Sequence, residues 1–355
     1  MKRAIAFCLL AAACISLAAR GSSAQEGKSY LDVHCHLACL PREGSECFLS
    51  KRLRRSYKFK IYLRFLGVSE AELRERGDGL IADRVSAEVA GSRTVQKAVV
   101  LALDGAVKNG VLDKEATEMV VPDELVAEQV ARHSNLLFGA SVNPYRKDAL
   151  ERLRWAKEHG AVLVKWLPAV MNIDPADPAL EGFYKQLIAY RLPLLVHTGS
   201  ERTFTSSRDD LSDPARLELP LRLGVTVIAA HLASTGRLNG ERYYDRLLPL
   251  FKKYPRLFGD ISATTQINRI GFLHKALREP ALRGRLIYGT DWPLQFFPLV
   301  SPRYHIGAIS WKRASEIAKI DNAWDRDVAL KKALGTPEEV FTAGWALLNL
   351  ASPRP

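Results

Sequence analysis

Residues 192–231 read LPLLVHTGSERTFTSSRDDLSDPARLELPLRLGVTVIAAH, and they contain the unit from which the rest of the chain is built. Two short apolar runs, Leu192–His197 and Val225–His231, each end in a histidine. Between them, residues 214–223 have the spacing of apolar side chains that is expected of a helix. A strand, a helix and a second strand in this order are typical of parallel strands joined by a helical crossover.

The same alternation continues in both directions along the chain. Near-continuous apolar strands separated by helices predict a parallel sheet covered by helices, and eight such units close into a (β/α)8 TIM barrel. A doubly wound open sheet normally has a glycine-rich turn after its first strand, and none follows His36. The predicted strands are Tyr30–His36, Gln96–Ala102, Leu136–Val142, Ala161–Trp166, Leu192–His197, Val225–His231, Leu257–Ser262 and Leu286–Asp291.

The rest of the chain is organised around this α/β barrel. We expect residues 25–355 to form a single domain, because α/β barrels of this length are common. Residues 37–94 form a long insertion after the first strand, predicted to lie over the barrel mouth as a lid or as a contact in a homodimer. The pattern of residues 328–350 predicts one or two C-terminal helices on the barrel exterior.

The N-terminus, residues 1–24, has the pattern of a secretory signal peptide. Two cations precede an apolar run over residues 4–19, and a small-residue cleavage site ends at Ala24. The apolar run is short for a bilayer span of about 20 residues. A lipoprotein acylated at Cys14 is disfavoured, because Ala11 stands where a large aliphatic residue is expected. We therefore expect a periplasmic or secreted protein without stable membrane insertion after cleavage.

Composition and charge exclude few classes of function. The chain of 355 residues is 47% hydrophobic and 25% charged, as in ordinary globular proteins. Its net charge of +12 is explained by a solvated basic surface, and the basic patch at residues 51–60 lacks any nucleic-acid-binding motif. We expect a small-molecule substrate and no nucleic acid as partner.

Three cysteines remain after the predicted signal peptide, and they lie close together in sequence. In an oxidising compartment Cys39 and Cys47 could pair and close the loop after the first strand, which would leave Cys35 buried as a small hydrophobic residue. The spacing of the three thiols matches no common zinc motif.

Polar residues stand at or next to the ends of five predicted strands. The C-terminal ends of all strands in a TIM barrel meet at one mouth, so residues that are dispersed in sequence would lie close together there. This convergence predicts a functional site. The residues are His36, Lys165, His197, His231 and Asp291.

Two histidines spaced i, i+2 make this predicted site a metal site. On a strand, this spacing puts His34 and His36 on the same face, with Cys35 on the other. A third histidine, His197, and one carboxylate, Asp291, would complete a mixed nitrogen and oxygen coordination sphere. We expect one divalent ion, Zn²⁺ first and Mn²⁺ as the alternative.

The catalytic groups predicted beside the ion are His231 and Asp291. His231 could be a further ligand or a general base and acid, whereas Asp291 could bind the ion and also orient or deprotonate a water. One zinc lowers the pKa of a bound water to about 7, so a single ion suffices for hydrolysis. Lys165 could contact a substrate carboxylate, bridge to a second metal if carbamylated, or simply extend to the barrel rim.

Further strand-end residues are candidates for the wall of the pocket. Lys165, Trp166, Glu201 and Arg269 are predicted to contact substrate. Carboxylates at such positions also cap helices, so each of them alone is weak evidence. The remaining wall candidates are Thr198, Asp260 and Ser262.

These motifs resemble the amidohydrolase superfamily, specifically its amidohydrolase-related branch of metal-dependent hydrolases with a TIM-barrel fold. The matching pieces are LDVHCH, VLVKWLP, LLVHTGSE, VIAAHLAS, GDIS and LIYGTDWP, in order from residue 31 to 293. The resemblance implies that zinc or a similar ion is bound by four residues and that His231 is catalytic. The four residues are His34, His36, His197 and Asp291.

The resemblance implies two chemistries. Members of this branch are hydrolases of esters, lactones and amides, or non-oxidative decarboxylases of aromatic and unsaturated acids, and both use one metal to polarise an oxygenated substrate. The export signal favours the hydrolase. An inactive exported binding protein is a third possibility, but the presence of all five strand-end residues argues against it.

Overall fold

The computed structural model describes residues 29–352, so the predicted signal peptide lies outside the described residues. Within this range, the helices are all too short or too polar to cross a membrane.

Eight parallel strands form one sheet in chain order. They are β1 (Tyr30–His36), β2 (Val95–Leu101), β3 (Leu136–Ala140), β4 (Leu163–Trp166), β5 (Leu194–His197), β6 (Val227–Ala230), β7 (Leu257–Asp260) and β8 (Leu286–Ile287).

The last strand returns to the first and nearly closes the sheet into a barrel. The backbone N–H of Val33 donates to the carbonyl of Tyr288 at 3.2 Å. Beyond the end of β8, the N–H of Asp291 donates to the carbonyl of His34 at 2.8 Å, and that of His36 to the carbonyl of Trp292 at 2.9 Å. The predicted TIM barrel is thus confirmed, and β1 and β8 are neighbours.

Helices surround the barrel and also extend over its mouth. They are α1 (Lys51–Arg55), α2 (Tyr57–Leu66), α3 (Glu70–Arg76), α4 (Gly79–Gly91), α5 (Asp123–Arg132), α6 (Ala149–Glu158), α7 (Pro168–Met171), α8 (Glu181–Ala189), α9 (Glu218–Leu223), α10 (Tyr243–Lys253), α11 (Phe272–Arg278), α12 (Trp311–Ala318), α13 (Ala323–Ala333) and α14 (Glu338–Leu347). Short 3-10 turns lie at Pro178–Leu180, Asp209–Ser212, Pro214–Leu217, His231–Ala233, Ile267–Arg269, Pro280–Leu282 and Pro302–His305.

The C-terminal helix α14 closes one end of the barrel. Aliphatic side chains from the strands, such as Leu31 and Ile228, fill the barrel interior, and Trp345 and Leu348 pack into the same cluster. Because Leu31 lies near the start of β1, α14 covers the N-terminal ends of the strands. The sequence predicted this helix on the exterior; its large apolar residues instead complete the core, opposite the mouth.

The insertion over the mouth is shorter than the predicted 37–94. Helix α4 lies against β2, α5 and α13, and it is therefore the first crossover helix of the barrel. Its side chains Ile81, Val85 and Val89 are fully buried, as expected for a helix that covers the sheet. Residues 37–78, which contain α1–α3, are called the mouth segment below.

The mouth segment contains a disulfide and pairs through its backbone with a barrel loop. Cys39 and Cys47 form a disulfide with a Cα–Cα distance of 6.0 Å, while Cys35 is free and buried, so the expected pairing is confirmed. Phe48–Leu49 pairs in antiparallel fashion with Met119–Val120 from the loop after β2. Two further strand pairs are Val107–Lys108 with Val111–Leu112, and Arg237–Leu238 with Glu241–Arg242.

Candidate metal centre

Three buried side chains from β1, the end of β6 and the end of β8 converge at the barrel mouth. The Nε2 atom of His34 lies 3.5 Å from Oδ1 of Asp291, and Nε2 of His231 lies 4.0 Å from its Oδ2. Each residue contributes one ligand atom to a group whose members all lie within 4.8 Å of one another. We call His34, His231 and Asp291 the metal centre, because this group could hold a single divalent ion.

A buried carboxylate orients His34. Its Nδ1 lies 2.8 Å from Oδ2 of Asp260. A carboxylate with a lowered pKa accepts this bond, so the ring donates through Nδ1–H and keeps the lone pair of Nε2 for the cavity. Burial by itself would raise the pKa of Asp260, but the neighbouring His34 and His231 outweigh it and hold that pKa below its usual range.

His231 is oriented in the same sense. Its Nδ1 faces the hydroxyl of Ser262 at 2.7 Å and the carbonyl of the same residue at 3.3 Å. Ser262 itself donates to Asp260, so both atoms near Nδ1 act as acceptors and the ring must donate to them. The lone pair of Nε2 is thereby left for the cavity. An imidazole fixed through its other nitrogen is the usual condition of a histidine that ligates a metal.

His36 also joins this cluster. Its Nε2 lies 3.2 Å from Nε2 of His34 and 3.1 Å from Oδ1 of Asp291. The two histidines of β1 therefore lie on one face of the strand, as their spacing predicts, with Cys35 packed on the other side, where its thiol donates to Asp32.

His197 lies beside the cluster at the end of β5. Its ring centre is 5.2 Å from that of His231, and its Nε2 is 3.5 Å from a carboxylate oxygen of Glu201. This nitrogen is buried and makes no hydrogen bond within the described structure. A buried nitrogen without a partner is costly, and coordination of an ion would satisfy it, so the chemistry of these donors fits a divalent metal.

The pKa shifts of three buried imidazoles, those of His34, His197 and His231, make these rings neutral at neutral pH. Burial, reinforced by the positive charge of Lys165, lowers the pKa of His34 to about 4. Burial also lowers the pKa of His231 and of His197. Neutral imidazole is the form that binds a metal, so these rings need no deprotonation before they bind one.

Asp291 supplies the negative charge. Burial alone would raise the pKa of its carboxyl group, but the charge of His231 and the hydrogen bond from His36 outweigh burial and lower that pKa. An ionised carboxylate among nitrogen donors makes the mixed coordination sphere that zinc and manganese accept.

Lys165 points into the same centre. Its Nζ lies 3.0 Å from Nε2 of His34. The side chain is almost fully buried, and burial lowers its pKa to about 8. The structure thus places this lysine at the metal centre, not at the solvent-exposed rim.

The backbone at the site is strained at two of its functional residues. His231 has φ 58° and Asp291 has φ 63°, which is the left-handed region that non-glycine residues rarely adopt. Gly289 lets β8 approach β1, since a Cβ there would lie 2.9 Å from Cβ of His34. These features bring the ends of β1, β6 and β8 together.

A cavity of about 740 Å³ opens above the metal centre. Glu201 and Arg269, which the sequence analysis predicted to contact substrate, line this cavity. Arg269 donates to the carbonyl of Ala263 and to Gln266, while its Nε is buried and has no hydrogen-bond partner in the described structure.

Trp166 does not belong to the pocket wall, and its prediction as a substrate contact is wrong. Its Nε1 donates to the carbonyl of Val142, and its ring packs against Phe183 and Tyr184 of α8. Successive side chains on a strand point to opposite faces. Since Lys165 faces the cavity, its neighbour must face the surrounding helices.

The sequence underrated two residues that support the metal centre. Asp260 and Ser262 were expected only in the pocket wall, whereas they orient His34 and His231 through hydrogen bonds. Asp260 ends β7 after an apolar run, much as Asp291 follows β8, and this position was the available signal.

Comparisons with known proteins agree with this architecture. A model of the amidohydrolase family matches residues 31–304. No protein in the curated comparison matches. Among solved structures, an uncharacterized TIM-barrel protein from Bordetella bronchiseptica is 16% identical, with a TM-score of 0.51 and coverage of 85% of this chain and 99% of that one.

Of two further similar solved structures, one is described as a probable hydrolase and the other as a decarboxylase. A probable 2-pyrone-4,6-dicarboxylic acid hydrolase from Acinetobacter baumannii is 14% identical, with a TM-score of 0.48, covering 91% of this chain and 100% of that one. A 2,6-dihydroxybenzoate decarboxylase from Rhizobium is 12% identical, with a TM-score of 0.48, covering 91% and 99%. Likeness at such identities concerns the fold alone. The family match spans most of the chain, and the protein therefore belongs to the amidohydrolase family.

Proposed function

We propose that this protein is a metal-dependent hydrolase that cleaves a C–O or C–N bond in an ester, lactone or amide. The observation that carries the proposal is the group formed by His34, His231 and Asp291, in which both histidines present the lone pair of Nε2 to a cavity. A divalent ion bound there, Zn²⁺ first and Mn²⁺ second, would lower the pKa of a bound water to about 7 and polarise a carbonyl group.

The residues around the ion supply the remaining needs of hydrolysis. Asp291 is ionised and can orient the attacking water and take up its proton. Lys165 holds a donor group 3.0 Å from His34, from which it can stabilise negative charge that develops on the carbonyl oxygen. Arg269 faces an acidic group of the substrate, where the substrate carries one.

His231 has two roles open to it. As a ligand, it would complete the group with His34 and Asp291, whose donor atoms lie together. As a base, it would leave coordination to His36 and His197 with the other two residues. A His231→Asn variant separates these roles, since a ligand variant loses the metal and a base variant keeps the metal but loses activity.

The direct test is to identify the products formed by the metal-loaded protein. Esters, lactones and N-acyl amides are offered alongside aromatic and unsaturated acids, and products are measured by mass spectrometry and carbon dioxide release. We expect an acid and an alcohol or amine. Release of carbon dioxide from an acid would instead make the protein a decarboxylase. If the protein binds metal but converts none of the esters, lactones, amides or acids, it is an exported binding protein and not an enzyme.

We also propose that the protein is exported and works on a small molecule in an oxidising compartment. The disulfide between Cys39 and Cys47 supports this, because such bonds persist outside the reducing cytosol. Mass spectrometry of the protein purified from its native host tests it: a mature N-terminus at Gln25 and an intact disulfide are expected. A retained Met1 would contradict export by signal cleavage.

A further inference from the structure

The part of the cavity away from the metal centre is lined by hydrocarbon. The lining of this part comes from helix α2, from the strand at residues 48–49 and its partner at residues 119–120, and from the loop after β8. Several of these side chains are only half-buried, so they expose apolar surface to the cavity. They are Leu49, Phe59, Leu63, Met119, Leu294 and Leu299.

Two polar side chains of α2 that line this wall are already occupied. Lys58 donates through Nζ to the carbonyls of Arg202 and Phe204, and the hydroxyl of Tyr62 donates to the carbonyl of Thr203. Among the described lining residues, those from the mouth segment include no carboxylate. Apart from Tyr57 and Arg64 of α2, the surface that this wall offers a ligand is therefore apolar.

The wall is held in place before any ligand arrives. The Cys39–Cys47 disulfide closes the loop that precedes α1. Arg52 of α1 donates to Glu118 at 2.7 Å and to Ser206 at 2.8 Å. A preformed apolar pocket binds its ligand without first having to be ordered.

We infer that the substrate carries an apolar acyl or aryl group of medium size next to the bond that is cut, and that this group lies beneath α2 between Leu63 and Met119. The inference rests on the proposed function for the reacting bond and adds the class of substrate. A small polyanionic substrate would leave this apolar surface in contact with water.

Burial of each additional methylene group in such a pocket strengthens binding by about fourfold. Affinity should therefore rise steeply with chain length until the chain fills the cavity. Residues at the metal end, such as Lys165 and Arg269, would hold the polar head and would not change this gradient.

The experiment measures binding of straight-chain carboxylates, from butanoate to dodecanoate, to the zinc-loaded full mature chain by calorimetry. We expect the dissociation constant to fall about two- to fourfold per methylene. The variant Leu63→Trp fills part of the cavity, so the gradient should stop at a shorter chain. Its matched control is Leu150→Trp, which changes an exposed leucine on α6 outside the cavity and should leave the gradient unchanged.

A matching series of p-nitrophenyl esters separates this inference from the proposed function. Ester hydrolysis without any dependence of binding or kcat/KM on chain length would overturn the inference and leave the hydrolase standing. A binding gradient without hydrolysis of any ester, lactone or amide would overturn the hydrolase. A gradient that Leu63→Trp leaves unaltered would show that the chain binds elsewhere, and would also overturn the inference.

Discussion

The metal centre and the mouth segment line the same cavity but are built by different means. The metal centre is made of polar residues that follow apolar strands, and the barrel itself brings His34, His231 and Asp291 together. The mouth segment presents a largely apolar wall to the cavity, and hydrogen bonds to distant loops, such as that from Arg52 to Glu118, hold it in position. The difference suggests that the barrel sets the chemistry and the mouth segment sets the substrate.

The largest effect should come from removing the carboxylate of the metal centre. In Asp291→Ala the negative charge among the histidines is lost, so we expect the bound metal to be lost and kcat/KM to fall on the order of 10³-fold or more. Elemental analysis and steady-state kinetics measure the two quantities. The control Asp245→Ala removes an exposed carboxylate paired with Arg242 and should change neither. Full metal content in Asp291→Ala would contradict its role as a ligand.

The second effect is a loss of apoprotein stability in acid. The pKa of His34 is about 4 in the folded protein, against an ordinary value of 6.5. Its neutral form is favoured by folding, so the stabilisation is complete above pH 6.5 and is lost as the pH falls towards 4. From this shift in the pKa of His34, we expect the free energy of unfolding to fall by about 3 kcal/mol between pH 7.5 and pH 4.

Denaturant unfolding of the metal-free protein between pH 7.5 and pH 4 measures this loss. The variant His34→Asn should have a shallower pH dependence, whereas His274→Asn, which changes an exposed histidine, should behave like the wild type. If stability in both variants falls equally with pH, the buried histidine is not the cause.

A smaller effect is expected when the residue that orients a metal ligand is changed and the ligands themselves are kept. In Asp260→Asn, the carboxylate that accepts from Nδ1 of His34 is replaced by a neutral group, so the ring is held less firmly. Loss of such an orienting partner weakens metal binding by roughly 10- to 100-fold. Competition with a chromogenic chelator measures the affinity, and Asp245→Asn is the matched control. Unchanged affinity in Asp260→Asn would show that the ring needs no orienting partner.

The smallest effect should come from the mouth segment, and it should be of a different kind. In Cys47→Ser, the disulfide with Cys39 is lost, and closing a loop of this length is worth roughly 2 kcal/mol. We expect lower stability and a weaker preference for long acyl chains, with metal content unchanged. Wild-type protein in a reducing buffer should match the variant. Loss of metal from Cys47→Ser would mean that the two parts of the cavity are not independent.

The sequence predicted the barrel and most of its metal centre because both depend on local patterns. Eight apolar runs predicted eight strands, and the i, i+2 spacing of His34 and His36 placed both rings on one face. The same period of two could have excluded Trp166, since its neighbour Lys165 already faced inward. Asp260 was undervalued because an orienting carboxylate looks like any other at a strand end.

The mouth segment was less predictable because its arrangement depends on contacts between distant parts of the chain. Its boundary at residue 78 depends on how α4 packs against β2 and α5. The apolar wall depends on the pairing of residues 48–49 with 119–120 and on the links from Lys58 and Tyr62 to residues 202–204. Sequence periodicity carries no information about such links.

The central claim is that this cavity holds one catalytic divalent ion, and metal stoichiometry tests it most directly. Elemental analysis of the purified mature protein, after reconstitution with zinc or manganese, should give about one ion per chain. About two ions would assign a second site, with a carbamylated Lys165 as the bridging ligand. No bound metal after reconstitution with either ion would contradict the account.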